Sequence, residues 1–158
     1  MPFLTAAVGG TIALTINGRE VDLKVPEGAE DGKKLRLKDQ APGGGDLIVQ
    51  LQIESHPYFR RESNNVILEV PLTVTEAVLG TKVDVPTVRG EQLTVTIKPG
   101  TSSGAKRRLP GFGIKGGDQL LEIKILAPAE LSEKERELYE ELSRLSTVEN
   151  PRQGPPWS

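Results

Sequence analysis

Two glycine runs in this chain have the outline of phosphate-binding loops. Gly111-Phe112-Gly113-Ile114-Lys115-Gly116 matches the spacing of a dinucleotide fingerprint. That motif works only where a strand delivers it to the N-terminus of a helix, whose free amides hold the pyrophosphate. Here Leu120–Ile125 follows with the alternation of a strand, so turn glycines are the better reading. Gly100-Thr101-Ser102-Ser103-Gly104-Ala105-Lys106 similarly resembles a phosphate loop, but its glycine spacing is wrong and Arg107 stands where Ser or Thr must hold magnesium. Asp46 and Asp118 each follow Gly-Gly and precede a strand-like run. This placement suits a carboxylate that bonds the amides of its own loop rather than a catalytic pair. Basic runs, Lys33-Lys34 with Arg36 and Lys38, and Lys106-Arg107-Arg108, read as solvated strand faces or as a surface for an acidic peptide. No cysteine is present and His56 is the one histidine, so no metal site, disulfide, thiol chemistry or cofactor is expected. His56-Pro57-Tyr58-Phe59-Arg60-Arg61 puts two aromatics beside that histidine, either to plug the end of a module or to let Phe59 wall an apolar groove.

The elements that would position these residues come from composition and periodicity. The 158 residues suffice for one ordinary domain or two small ones, and 17 Gly with 12 Pro imply many turns between short strands. With 4% aromatics, any core must be built from Val, Ile and Leu, and small cores of that kind are often completed by oligomerisation. A net charge of −2 gives no reason to expect nucleic acid or an acidic membrane as partner. No apolar run reaches the roughly 18 residues of a membrane span, and Met1-Pro2-Phe3-Leu4 lacks the basic flank of a signal peptide; a cytoplasmic setting is expected.

The chain repeats itself. Gly28, Gly32, Leu37, Gly44, Gly45 and Asp46 recur, each 72 residues on, as Gly100, Gly104, Leu109, Gly116, Gly117 and Asp118. Thr5–Thr11 also parallels Thr75–Thr81. Within each copy the period is two. Ile12, Leu14 and Ile16 alternate with Thr11, Ala13 and Thr15, then Asn17-Gly18 offers a hairpin turn into Val21, Leu23 and Val25. Leu47, Val49, Leu51 and Ile53 continue the pattern, as do Leu93, Val95 and Ile97 and then Leu121, Ile123 and Ile125 in the second copy. Helical spacing is confined to the short Thr75–Leu79 stretch and to a segment from residue 131. There Ser132 and Glu135 form a capping-box pattern, and Leu138, Tyr139, Leu142 and Leu145 share a face. Asn150–Pro156 has no pattern able to bury anything, so residues 148–158, Trp157 included, are expected to be disordered.

These residues together resemble the C-terminal region of DnaJ-family (J-domain) co-chaperones. The resemblance rests on Val25-Pro26-Glu27-Gly28 with Asp31–Leu37, Gly45-Asp46-Leu47-Ile48-Val49, His56–Arg61, Thr75–Gly80, Val85-Pro86-Thr87 with Gly90, and Pro128–Ser132, in order from about residue 5 to 146. No Cys-rich insert separates Ile16 from Val21, so the chain is similar to the zinc-finger-free, CbpA-like class. Glu62-Ser63-Asn64-Asn65-Val66 departs from the acidic-Gly-acidic run usual at that point, and the J domain with its His-Pro-Asp loop is not in this sequence. The resemblance implies a mainly β fold of two tandem sandwich-like modules (1–60 and 61–130), a dimerisation helix (131–147) and a tail (148–158). It implies a non-enzymatic protein that binds unfolded polypeptide clients and hands them to a DnaK-type chaperone through a J domain. Leu14, Ile16, Val21 and Phe59 would line the client groove, and Leu138, Tyr139, Leu142 and Leu145 a homodimer contact. The rival classes are a purely structural dimerising module and a carbohydrate-binding or hydrolytic β protein. The latter would need aromatic platforms or clustered acids and bases, and the sequence offers neither.

Overall fold

The computed structural model describes residues 1–147 and 150–156. Among them the chain forms two compact units, Met1–Leu126 and Ala127–Ser158. The first unit is mainly β and carries both copies of the repeat. The first copy runs α1 (Phe3–Val8), β1 (Gly10–Ile16), β2 (Arg19–Val25), β3 (Lys34–Leu37) and β4 (Leu47–Gln50). The second runs β5 (Phe59–Glu62), β6 (Asn65–Thr73), α2 (Val74–Leu79), β7 (Thr81–Pro86), β8 (Gln92–Ile97), β9 (Lys106–Leu109) and β10 (Gln119–Leu126).

Each copy opens its sheet work with a hairpin. In β1–β2, Leu14 faces Val21 and Ile16 faces Arg19 across the ladder. The turn residues Asn17 and Gly18 both have positive φ, 52° and 78°, which matches the right-handed twist of the flanking strands. In β7–β8, Val85 faces Leu93 and Val83 faces Val95. A second antiparallel pair, β3–β4, completes the first copy, whereas the second builds a four-stranded sheet ordered β5-β6-β10-β9. The central strands β6 and β10 run parallel through eight register pairs, from Gln119↔Val66 to Leu126↔Thr73. A parallel pair needs a long crossover, and α2, β7, β8 and β9 supply it.

The glycine pattern is explained by loop geometry. Asp46 Oδ1 accepts from the Asp39 amide at 3.1 Å, and Asp118 Oδ1 accepts from the Gly111 amide at 2.9 Å. Each carboxylate also holds an arginine of the neighbouring strand, Arg36 for Asp46 and Arg108 for Asp118. The two aspartates therefore do the same structural task in the two copies, as their position after Gly-Gly suggests. The Gly111–Gly116 run folds against the β5–β6 turn. Ile114 N–H donates to Asn64 O at 2.8 Å, and a Cβ on Gly117 would lie 2.1 Å from that same oxygen. The run leads into strand β10 rather than a helix, and the Gly100 loop leads into β9.

One detail of the repeat is corrected. Aligning Thr5–Thr11 with Thr75–Thr81 is one residue out of register. Both α1 and α2 have six residues and end at a glycine whose N–H bonds back four residues, Gly9 to Thr5 O and Gly80 to Glu76 O, so Gly9 corresponds to Gly80. Both glycines have φ of +80°, and a Cβ on either would crowd the carbonyl at the end of the returning hairpin strand, Val25 O at 3.1 Å for Gly9 and Ile97 O at 2.9 Å for Gly80. The backbone constraint, rather than the threonines, defines the equivalence. Phe3–Val8 is also helical, which the sequence pattern did not suggest; its two alanines, Ala6 and Ala7, are its buried face.

Two apolar clusters result. The larger gathers β6, β7, β8 and β10 with Phe59 and Ile114; the smaller has Leu23, Val25, Ala29 and Leu51 at its centre, with Ile12, Leu14, Leu37 and Val49 half-buried around it. In the second unit, α3 (Glu133–Leu145) begins at a capping box. Ser132 Oγ accepts from the Glu135 amide, and the Glu135 carboxylate accepts from the Ser132 amide at 2.8 Å. None of its side chains is buried, and Leu138, Leu142 and Leu145 are 52%, 59% and 68% exposed. Residues 148, 149, 157 and 158, and with them Trp157 and part of the expected tail, lie outside the described residues.

Candidate functional site

The β5–β6 ladder stops early. Phe59 is the first β5 residue paired, opposite Leu68, and Tyr58 O accepts one further bond from Glu69 N–H at 3.0 Å. Beyond that point β6 continues to Thr73 with no strand on that side among the described residues, and Pro71 has no N–H to offer. Among the described residues strand β7 pairs only with β8, so its other edge is open as well. Between these two edges lies a cleft of about 360 Å³, walled by Tyr58, Phe59, Leu68, Val70, Val83 and Val85, with Pro71 and Pro86 at its margins. Glu69 and Asp84 are its charged lining residues. Glu69 is paired with Lys124 at 3.2 Å, and Asp84 accepts from the Thr94 hydroxyl at 2.5 Å.

The aromatic segment shapes one end of this cleft. His56 Nδ1 accepts from the amides of Tyr58 and Phe59, at 3.2 Å each, which fixes the bend that turns the chain into β5. The His56 ring meets Phe59 edge-on at 5.1 Å, and Phe3 stacks on Phe59 at 6.2 Å. Phe59 is thereby held rigidly at 5% exposure, while Tyr58 stays 53% exposed on the rim. Phe59 packs in the larger cluster, with the strands of the second copy rather than at the end of the first, and it also lines the cleft beside β6 and β7.

Of the four expected groove residues, the structure brings Leu14 and Val21 together as cross-strand partners, with Ile16 next along β1 and opposite Arg19. All three are half-buried. Phe59 is not with them; it belongs to the larger cluster and to the β6–β7 cleft. With α1 matched to α2, Leu14 occupies in β1 the place of the cleft residue Val85 in β7, whereas Ile16 and Val21 take the places of Thr87 and Leu93, which do not line the cleft. The cleft residues Val83, Val85, Leu68 and Val70 were not singled out from the sequence. The signal available was the hairpin equivalence itself, which pairs Leu14 with Val85.

A second cavity, of about 520 Å³, lies where the copies join, between α1, Ala29, Ile53 and Ile114. Arg61 crosses it to donate to Ala29 O at 2.8 Å and Gly28 O at 3.3 Å. Glu27 strengthens the same junction, accepting from the Lys115 amide at 3.1 Å and from Arg89 at 2.7 Å. Those two contacts, the Lys115 amide first, hold its carboxyl below its ordinary value. Among the described residues no group of three or more His, Asp or Glu converges as metal ligands would, and no helix is long and apolar enough to cross a membrane.

Short strands in several small sheets, with an apolar cleft beside β6 and β7, define a mainly β class of domain. Residues 4–128 match the family model for the DnaJ C terminal domain, and the chain belongs to that family. It is 36% identical over 138 residues to the chaperone protein DnaJ of Roseiflexus sp. (strain RS-1) and 39% identical over 140 residues to that of Brevibacillus choshinensis. These matches cover 80% and 81% of this chain, and 37% of each relative. It is also 35% identical over 159 residues to chaperone protein DnaJ 2 of Synechocystis sp. (strain ATCC 27184 / PCC 6803 / Kazusa), covering 97% of this chain and 51% of that protein. The chain thus spans between about a third and about half of the length of these relatives.

Proposed function

We propose that this chain is the client-binding part of a zinc-finger-free co-chaperone, acting without catalysis in the cytoplasm on unfolded polypeptides. The observation that carries the reading is the β6–β7 cleft. Two open strand edges offer backbone bonds that ignore sequence, and the valine and leucine wall between them asks only for a large apolar side chain. That combination suits a protein whose partners share exposed apolar segments and nothing else. The hairpin face of Leu14, Ile16 and Val21 is a second apolar surface for clients, in the first copy, with Leu14 in the place of Val85. Residues 131–147 serve dimerisation: the exposed stripe of Leu138, Leu142 and Leu145 beside Tyr139 is a surface of the kind that a second copy covers. Two copies would present two sets of sites to one long unfolded chain and raise avidity. Delivery to a DnaK-type chaperone would fall to a J domain, as the DnaJ relatives suggest.

A photo-cross-linking residue placed at Tyr58, on the cleft rim, tests this reading. Cross-links are expected to a chemically denatured model polypeptide and to be lost when the same polypeptide is folded. Equal labelling of both forms, or of neither, would remove the cleft as a client site.

A further inference from the structure

We propose that the groove between β8 and β9, in the second copy, is a docking site for an acidic polypeptide segment that carries an apolar side chain between carboxylates. It goes beyond the client reading, because the charge it selects is opposite to the charge that lines the β6–β7 cleft.

Arg107 on β9 reaches across to β8, its Nη1 donating to Thr96 O at 2.8 Å. Between the two strands lies a cavity of about 380 Å³. Its floor is apolar: Ile97, Leu121 and Ile123 are buried members of the larger cluster, with half-buried Ala105 beside them. Its rim carries Lys98, Lys106 and Arg107, and among the described residues no acid lines it. Glu69 and Asp84 line the β6–β7 cleft, and Glu30, Asp31 and Glu54 the cavity at the junction of the copies. In a chain with 22 acidic and 20 basic residues, the β8–β9 groove is therefore a local concentration of positive charge over an apolar floor.

The cations are not engaged in holding the fold together. Neither Lys98 nor Arg107 has an acidic partner among the described residues, and Lys106 has only Glu122 at 4.0 Å, an acid that Arg60 already holds at 2.6 Å. Arg107 follows Leu35 by 72 residues, and the two occupy the same rung, Arg107 opposite Leu121 and Leu35 opposite Val49. The first copy fills this place with an apolar side chain packed on the smaller cluster, so the fold requires no charge there. A guanidinium beside an apolar floor, steadied by a backbone carbonyl, presents a fork that matches a carboxylate.

Carboxylates rather than phosphate suit the groove. The Gly100–Lys106 loop beside it has the outline of a phosphate cradle, yet its amides are committed to the chain itself. Gly100 and Thr101 N–H donate to Ala77 O at 3.0 and 3.1 Å, Gly104 N–H to Ile123 O at 2.7 Å, and Ala105 N–H to Ser102 O at 3.2 Å. Anion recognition is left to the three cationic side chains, and the apolar floor has nothing to offer an inorganic ion. A leucine flanked by glutamates uses both features.

The probe is a blocked, dye-labelled peptide, Glu-Glu-Leu-Glu-Glu, with Lys-Lys-Leu-Lys-Lys as its charge-reversed control. Each is titrated into the intact chain and followed by fluorescence anisotropy and methyl chemical shifts. The acidic peptide is expected to bind about tenfold or more tighter than the control, to shift the methyls of Ile97, Leu121 and Ile123, and to weaken as salt is raised. Lys98→Glu combined with Arg107→Leu, which puts the first copy's residue on that rung, should lose about tenfold or more in affinity for the acidic peptide. Equal affinity for the two peptides, or shifts confined to Val83 and Val85, overturns the proposal. Displacement of the acidic peptide by an equal concentration of inorganic phosphate overturns it too, since the floor then contributes nothing. The parent's preference and its methyl shifts decide the matter even where the double variant fails to fold.

Discussion

Replacing Val83 with Asp tests the cleft most directly. Val83 lines it from β7, is half-buried rather than part of the closed core, and sits opposite Val95 at the edge of the larger cluster. A leucine-sized client side chain seated in an apolar pocket gains about 1.5–3 kcal/mol. A carboxylate on the wall must either stay hydrated, which keeps the client side chain out, or be buried unpaired at comparable cost. The loss is therefore most of that gain, roughly tenfold to a hundredfold in affinity. Fluorescence anisotropy of a labelled, permanently unfolded polypeptide measures it, with far-ultraviolet circular dichroism confirming the fold. Val78→Asp is the matched control, since Val78 on α2 is 58% exposed and does not line the cleft. If Val83→Asp binds within twofold of the parent, or if Val78→Asp loses as much, the cleft does not carry client binding.

Further outcomes follow from other parts of the molecule. Gly80→Ala places a side chain on a backbone with φ of +80° and ψ of 158°, 2.9 Å from Ile97 O; a loss of about 1–3 kcal/mol, read in a denaturant melt, is expected. Leu142→Asp should convert a dimer to a monomer in sedimentation while leaving the circular dichroism of Met1–Leu126 unchanged; a parent chain that is monomeric at tens of micromolar would remove the dimer reading. Glu27 has a depressed folded pKa, so the stability it contributes is present above its ordinary value of 4.5 and lost as pH falls through the lower folded value. Thermal melts of the parent below pH 4.5 should therefore fall more steeply than those of Glu27→Gln, and parallel curves would refute the Lys115–Arg89 clamp.

Much of the architecture was legible before any coordinates. The period-two runs, the Asn17-Gly18 turn, the capping box at Ser132 and the 72-residue recurrence of Gly-Gly-Asp are local signals. Each depends on bonds made within a few residues, as the Asp46–Asp39 and Asp118–Gly111 contacts show. The helix α1 was not legible, because Phe3–Val8 is too short for a periodic stripe and is held by tertiary contacts at Ala6 and Ala7. The register of the repeat was misjudged by one residue for a related reason. Matching threonines are a chemical likeness, whereas Gly9 and Gly80 are required by a strand that approaches from elsewhere in the chain.

For the candidate site the division is sharper. Sequence alone determined that apolar side chains of β1 and β2 share a face, because alternation along a strand and the length of its turn decide that. It also marked the Phe59 segment as unusual. Only the tertiary structure decided that Phe59 stands with Val83 and Val85 rather than with Leu14 and Val21, and that β6 ends its pairing with β5 at Leu68. Which strands become neighbours in a sheet depends on crossovers and on which edges remain unpaired. These are long-range outcomes of packing, to which no window of neighbouring residues holds the key.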